Sequence, residues 1–200
     1  GGPVEGQAPT ISRETMVALI EAAHRRGKLA VVHITFESAA REALDAGADG
    51  LAHLFIGPSA QPGLGSLATQ HHAFVVPTLS VLTTVCGANS GAALAADPRI
   101  SPYLLPSSAG TLNQSVRLRP GRQRPSCDGV SQAIHQLLEA GAPILAGTDV
   151  GNAGIAHGAS VHNEMELLAA KGLTPMQALA SATSSVADAF RLRDRGRIAP

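Results

Sequence analysis

Gly27-Lys28-Leu29-Ala30-Val31-Val32-His33-Ile34 and Gly47-Ala48-Asp49-Gly50-Leu51-Ala52-His53-Leu54 follow one pattern: a glycine, an apolar run, and a histidine six positions after the glycine. A glycine just past a helix takes the left-handed conformation without steric cost, so each run is expected to follow a helix. The same stop closes Leu138-Glu139-Ala140-Gly141 and Ala169-Ala170-Lys171-Gly172. Upstream, Ser12 predicts the N-cap of the first helix, with Ile11 and Met16 in staple positions. Thr174-Pro175-Met176-Gln177 predicts a capping box with proline at the first helical position.

Four runs are expected to be strands: 29–34, 50–55, 74–82 and 143–150. Their near-continuous apolar character fits parallel strands buried on both faces. Helices alternating with such strands are βαβ units, so the predicted class is α/β. Residues 85–127 break the rhythm with many Gly, Pro and Ser and carry Arg117, Arg119, Arg122 and Arg124. A solvated insertion accounts for that basic cluster.

Composition narrows the function. Two hundred residues make one domain, and the 44% hydrophobic content and mean hydropathy of +0.13 exclude a disordered chain. Fifteen basic and fifteen acidic residues cancel, so no global field draws the chain to nucleic acid or an anionic membrane. With aromatics at 2% and no Trp, few rings could stack on bases. No apolar run approaches the ~18 residues of a membrane span. Cys86 and Cys127, far apart in sequence, are expected to be free thiols in a reducing compartment, which predicts a cytoplasmic protein. A signal peptide upstream of Gly1 would not be seen in this sequence. No Walker motif and no G-x-S-x-G elbow occurs, which removes the simplest nucleotide-binding and serine-hydrolase readings.

In the segment after Gly141, Asp149 stands eight positions on. Strand side chains alternate faces, so offsets of six and eight place His33, His53 and Asp149 on one side, at the C-terminal ends of their strands. In closed parallel barrels that end gathers the catalytic groups. Histidine and aspartate are ligands for a divalent transition metal such as zinc. Each alone has an ordinary explanation, a structural strand histidine or a turn aspartate. His24 and His135 are expected to be surface and structural residues. Gly151, Gly154 and Gly158 could form an anion nest but need no such role.

Val32-His33, Leu51-Ala52-His53-Leu54 and Ala146-Gly147-Thr148-Asp149 resemble the metal-site strands five, six and eight of the amidohydrolase superfamily. Further likeness lies in His157-Gly158-Ala159-Ser160, Glu164-Met165-Glu166-Leu167-Leu168, Leu173-Thr174-Pro175-Met176-Gln177-Ala178-Leu179, and Ala182-Thr183. Gly196-Arg197-Ile198-Ala199-Pro200 is similar to the stretch leading back to that family's small β-sandwich. The nearest branch resembles the imidazolonepropionase-related hydrolases, which include Xaa-Pro dipeptidases.

The resemblance implies a TIM-type (β/α)8 barrel of which residues 1–195 form the C-terminal half, strands five to eight, with 196–200 starting the return to the sandwich. It implies a hydrolase that cleaves a C–N bond in a small amide, cyclic amide or dipeptide with a metal-activated water. His33, His53 and Asp149 would hold one or two divalent ions, most simply Zn2+, and Asp149 would also carry the proton. His157 and His162 would contact substrate. The family's His-x-His pair of strand one does not occur here, and the adjacent His71 and His72 would point to opposite faces of a strand. Lys28 and Lys171 lie beside helix-ending glycines, where a solvated cation is at home, so neither is expected to be the family's strand-four lysine.

A half barrel would leave strand edges open, so the chain is expected to associate, as a homo-oligomer in the simplest case. Two other readings fit the same residues. One is a non-catalytic truncated chain or barrel-completing subunit; the other is a metal-free βα barrel that binds a metabolite through glycine loops.

Overall fold

The computed structural model describes residues 11–118, 120–121 and 123–198. Gly1, Arg119, Arg122, Ala199 and Pro200, which entered the sequence reading, lie outside the described residues. Ser12 starts α1 (Arg13–His24) as its side chain predicts, accepting the Thr15 N–H at 3.2 Å. Of the staple pair, Met16 is buried and Ile11 is largely exposed. Three βα units follow: β1 (Val31–His33) with α2 (Glu37–Asp45), β2 (Gly50–Ala52) with α3 (Leu64–Gln70), and β3 (Phe74–Val76) with α4 (Leu79–Val85). Next come the short helices α5 (Gly91–Ala96) and α6 (Pro106–Leu112), then α7 (Asp128–Glu139) and α8 (Ala159–Ala170). The described chain closes with α9 (Pro175–Ser181) and α10 (Ser184–Ala189). All four expected glycine stops, Gly27, Gly47, Gly141 and Gly172, have positive φ. Thr174 and Gln177 form the expected capping box on α9.

The strands are parallel in the order β1-β2-β3, with Val32, Leu51 and Val75 in register. The sheet is open among the described residues, and all four expected strands are shorter than their apolar runs. Residues 79–82 belong to α4, because a buried apolar run does not distinguish strand from helix by periodicity. Pro77, which has no N–H for a ladder, stands where β3 stops. Residues 143–150 touch the sheet at a single bridge. Val75 donates to the Pro143 carbonyl and Leu145 donates back to Val75, each at 2.9 Å. The Ala146 N–H then turns away to Ser181 at the end of α9.

The core lies between the sheet and the helices, with Leu44, Leu51, Leu64, Val75, Ile134 and Leu137 fully enclosed. α3 packs so tightly on α7 that a side chain at Gly65 would run into the Gln136 carbonyl. Gln136 Oε1 in turn accepts the Leu64 N–H at 2.9 Å and caps α3. β1 departs from the expectation of burial on both faces: Val31 is 39% exposed. It is the edge of the sheet, and a largely apolar cleft of about 740 Å³ runs between it and α1, lined by Met16, Leu19, Ile20, Val31, Val32 and Ile34.

The insertion is more ordered than its composition suggested. Leu94 of α5 and Leu112 of α6 pack with Ala156 and Ala159 into a second small core. The two cysteines correct the free-thiol expectation, because Cys86 and Cys127 form a disulfide with Cα atoms 6.1 Å apart. Cys86 ends α4 and Cys127 precedes α7, so the excursion between them returns to its starting point. Their separation of 41 residues in sequence concealed that proximity.

Candidate active site

His33 is the last residue of β1, and His53 follows directly on the last residue of β2. The His53 backbone stays tied to the sheet, its N–H donating to Val76 at 2.9 Å, while φ swings to 74°. Asp149 lies beyond the bridge at Ile144, with φ 53°. Thr78, at the N-cap of α4, has φ 52°. Three of the five described non-glycine residues with positive φ thus fall at this one place. Such conformations cost about 1–3 kcal/mol each and cluster where a site over-determines the backbone.

The structure brings the three sequence-predicted residues together. The His33 and His53 rings meet edge to face with centroids 4.6 Å apart. His53 Nε2 lies 3.9 Å from Asp149 Oδ2. Asn152 Nδ2 donates to that same Oδ2 at 2.8 Å, and Thr35 Oγ1 lies 3.5 Å from His33 Nε2. Burial lowers the His53 pKa, the neighbouring His33 lowers it further, and Asp149 opposes both. Burial wins, so His53 is neutral at pH 7 and its approach to Asp149 is not an ion pair. A neutral imidazole is the form that ligates metals.

Two imidazoles and a carboxylate suit zinc in donor chemistry. In their present spacing they do not close on a common point: among the described residues, no group of three or more His, Cys, Asp or Glu side chains is arranged to hold a metal ion. His157 and His162 are both exposed, on the loop after Asp149 and the first turns of α8, and neither bonds to the cluster. Gly151, Gly154 and Gly158 all have positive φ, but the Gly154 N–H is committed to the Thr111 carbonyl. That removes one donor from any anion nest.

Sequence reasoning missed two residues behind the cluster. Thr78 Oγ1 lies 2.6 Å from His53 Nδ1. Glu164 of α8 has no exposed surface, and its carboxyl accepts the Leu79 N–H at 2.8 Å, the Ser80 N–H at 2.8 Å and the Ser80 hydroxyl at 2.7 Å. It therefore caps α4 from another helix. Its sequence neighbourhood, with Ser160, His162, Asn163 and Glu166 on the same helix, gave no signal that set it apart.

Burial pushes the Glu164 carboxyl up to about 7, against the opposing pull of the Ser80 and Leu79 donors. The folded chain thus holds this proton more tightly than the unfolded chain, whose carboxyl titrates near 4.5. The associated stability is fully present below pH 4.5 and is lost as pH rises through about 7. The shift corresponds to about 3 kcal/mol. Urea unfolding between pH 4.5 and 7 is therefore expected to show a declining midpoint that Glu164→Gln flattens. Equal slopes in the two proteins would assign the decline to another group.

The amidohydrolase family matches residues 5–200. Among solved structures, a Xaa-Pro dipeptidase with methionine bound in its active site superposes with a TM-score of 0.64 at 24% identity, covering 97% of this chain and 42% of its own. A bottromycin amidohydrolase gives 0.62 at 22% identity, covering 94% and 46%. The A. niger ochratoxinase gives 0.62 at 19%, covering 94% and 36%. No curated protein matches. The chain spans about 40% of the length of the first of these structural relatives, and at such identities the likeness shows the fold, which is of TIM-barrel type. The match across nearly all of its residues makes this chain a member of the amidohydrolase family.

Proposed function

We propose that the chain supplies the strand-five, strand-six and strand-eight part of a metal-dependent hydrolase acting on the C–N bond of a small amide, cyclic amide or dipeptide. The observation that carries this reading is the meeting of His33, His53 and Asp149 at the ends of neighbouring chain segments. These three would hold Zn2+, as one or two ions. When bound, such an ion supplies a Lewis acid that polarises a carbonyl and makes water a nucleophile near neutral pH.

The chain's own residues do the rest. Asp149, 41% exposed at its side chain, is open enough to take a proton from the attacking water and return it to the leaving amine. His53, 14% exposed and neutral, keeps a lone pair for a ligand. His157 and His162 stand at the exposed lip, where they would contact the substrate. The dipeptidase among the structural relatives supports a dipeptide-sized substrate.

Among the described residues no helix is long and apolar enough to cross a membrane. The cytoplasmic placement loses the support of free thiols, since disulfides persist in oxidising compartments. The open edge of β1 favours pairing with another chain, which light scattering would report as a mass that rises with concentration.

Because the three donors do not close on a common point among the described residues, the 200-residue chain alone is proposed to lack significant activity. A longer natural protein containing these residues, assayed with zinc, manganese or cobalt on dipeptide and cyclic-amide panels, is expected to turn over and to stop on chelation. Turnover that survives complete metal removal would exclude the metal-dependent mechanism.

A further inference from the structure

Thr78 occupies a conformation that a β-branched residue adopts rarely, and it does so directly behind His53. Its hydroxyl has one proton, which goes to the Pro77 carbonyl at 2.7 Å. At 2.6 Å from His53 Nδ1, the same oxygen is left to act only as an acceptor. With the hydroxyl proton on the Pro77 carbonyl, the proton of the Thr78–His53 contact belongs to Nδ1, which leaves Nε2 a bare lone pair. That Nε2 faces Asp149 Oδ2 across 3.9 Å, too far for a hydrogen bond between them.

The strained threonine is held from behind. Leu79 and Ser80, the two residues after it, donate their N–H groups to the buried Glu164 carboxyl, and Asn163 Nδ2 reaches Ser80 Oγ at 3.3 Å. α8 thus fixes the first turn of α4, and that turn fixes Thr78.

We propose that Thr78 is a positioning residue whose hydroxyl locks His53 in the Nδ1–H tautomer and presents bare Nε2 to the space beside Asp149, with Glu164 anchoring its backbone. The relevance to catalysis rests on the reading of His53 as a donor, but the lock itself does not. Where the other nitrogen of an imidazole is hydrogen-bonded decides which one is free to ligate, and loss of such a partner typically weakens metal binding ~10–100-fold.

The direct test is long-range 1H–15N correlation of the His53 ring in the metal-free chain at a pH where the ring is neutral. The wild type is expected to show a pyrrole-type Nδ1 and a pyridine-type Nε2. Thr78→Val, which keeps the shape and removes the hydroxyl, should mix the tautomers or reverse them; Thr78→Ser should restore the wild-type pattern. An Nε2–H ring in the wild type, or an unchanged ring in a folded Thr78→Val, would overturn the proposal. The wild-type spectrum decides even if Thr78→Val fails to fold. Zinc competition in the longer protein provides a second readout, with Thr78→Val expected to bind ~10–100-fold more weakly than Thr78→Ser. Absence of zinc binding by the wild type, alongside the expected tautomer, would count against the metal reading while leaving the lock in place.

Discussion

Asp149→Asn, in an active protein that contains these residues, is expected under the proposed mechanism to lower kcat by roughly 10²–10⁴-fold, the range that a positioned proton-transfer group contributes. Asparagine is the cleaner replacement because it tolerates the left-handed conformation that Asp149 occupies at φ 53°. It also keeps an oxygen for Asn152, while losing the carboxylate charge and the ability to accept and release a proton. Asp149→Ala should be equally inactive but slightly less stable, since alanine takes that backbone at a cost. Because the side chain is part-exposed and, among the described residues, hydrogen-bonds to Asn152 alone, neither change should unfold the protein. Wild-type turnover in either variant would remove Asp149 from the role of proton carrier.

The second large effect concerns stability. Cys86→Ser combined with Cys127→Ser opens a loop of 41 residues in sequence separation. Cross-links of that span are worth about 2–4 kcal/mol, chiefly through the entropy of the unfolded chain. For a domain of this size the loss corresponds to a Tm lower by roughly 5–15 °C. The bond joins the end of α4 to the start of α7, so limited proteolysis should find new cleavage between residues 87 and 126 first. An unchanged Tm, together with two titratable thiols in the wild type, would contradict the pairing.

The fold was legible wherever local chemistry decides it. The helix stops at Gly27, Gly47, Gly141 and Gly172 and the caps at Ser12 and Thr174 depend on residues within a few positions, and they stand where the sequence put them. Long-range facts were not legible. Cys86 and Cys127 meet because the insertion folds back, which no spacing rule conveys. Residues 79–82 are helical although their apolar run would equally suit a strand.

The candidate site was found by an argument that was only partly sound. Counting even offsets assumed regular strands out to His53 and Asp149, whereas both lie beyond the last strand residue with positive φ. His33, His53 and Asp149 nevertheless meet, because the turns at the sheet's C-terminal edge bring His53 and Asp149 together beside His33. Thr78 and Glu164 were invisible because their roles depend on what lies opposite them, α4 and β2 for one and α8 against α4 for the other.

The insertion's closed base has an evolutionary reading. Two residues of extended chain reach about 6.6–7.2 Å, enough to bridge the 6.1 Å between the Cα atoms of Cys86 and Cys127. A change in the length of the segment between them would therefore not require the chain on either side to be re-routed. The segment's footprint includes Gly154, Ala156, Ala159 and Asn163, on the loop that follows Asp149 and the helix it leads into. Such a change would thus redraw one wall beside the candidate site while leaving the sheet that carries His33 and His53 as it is.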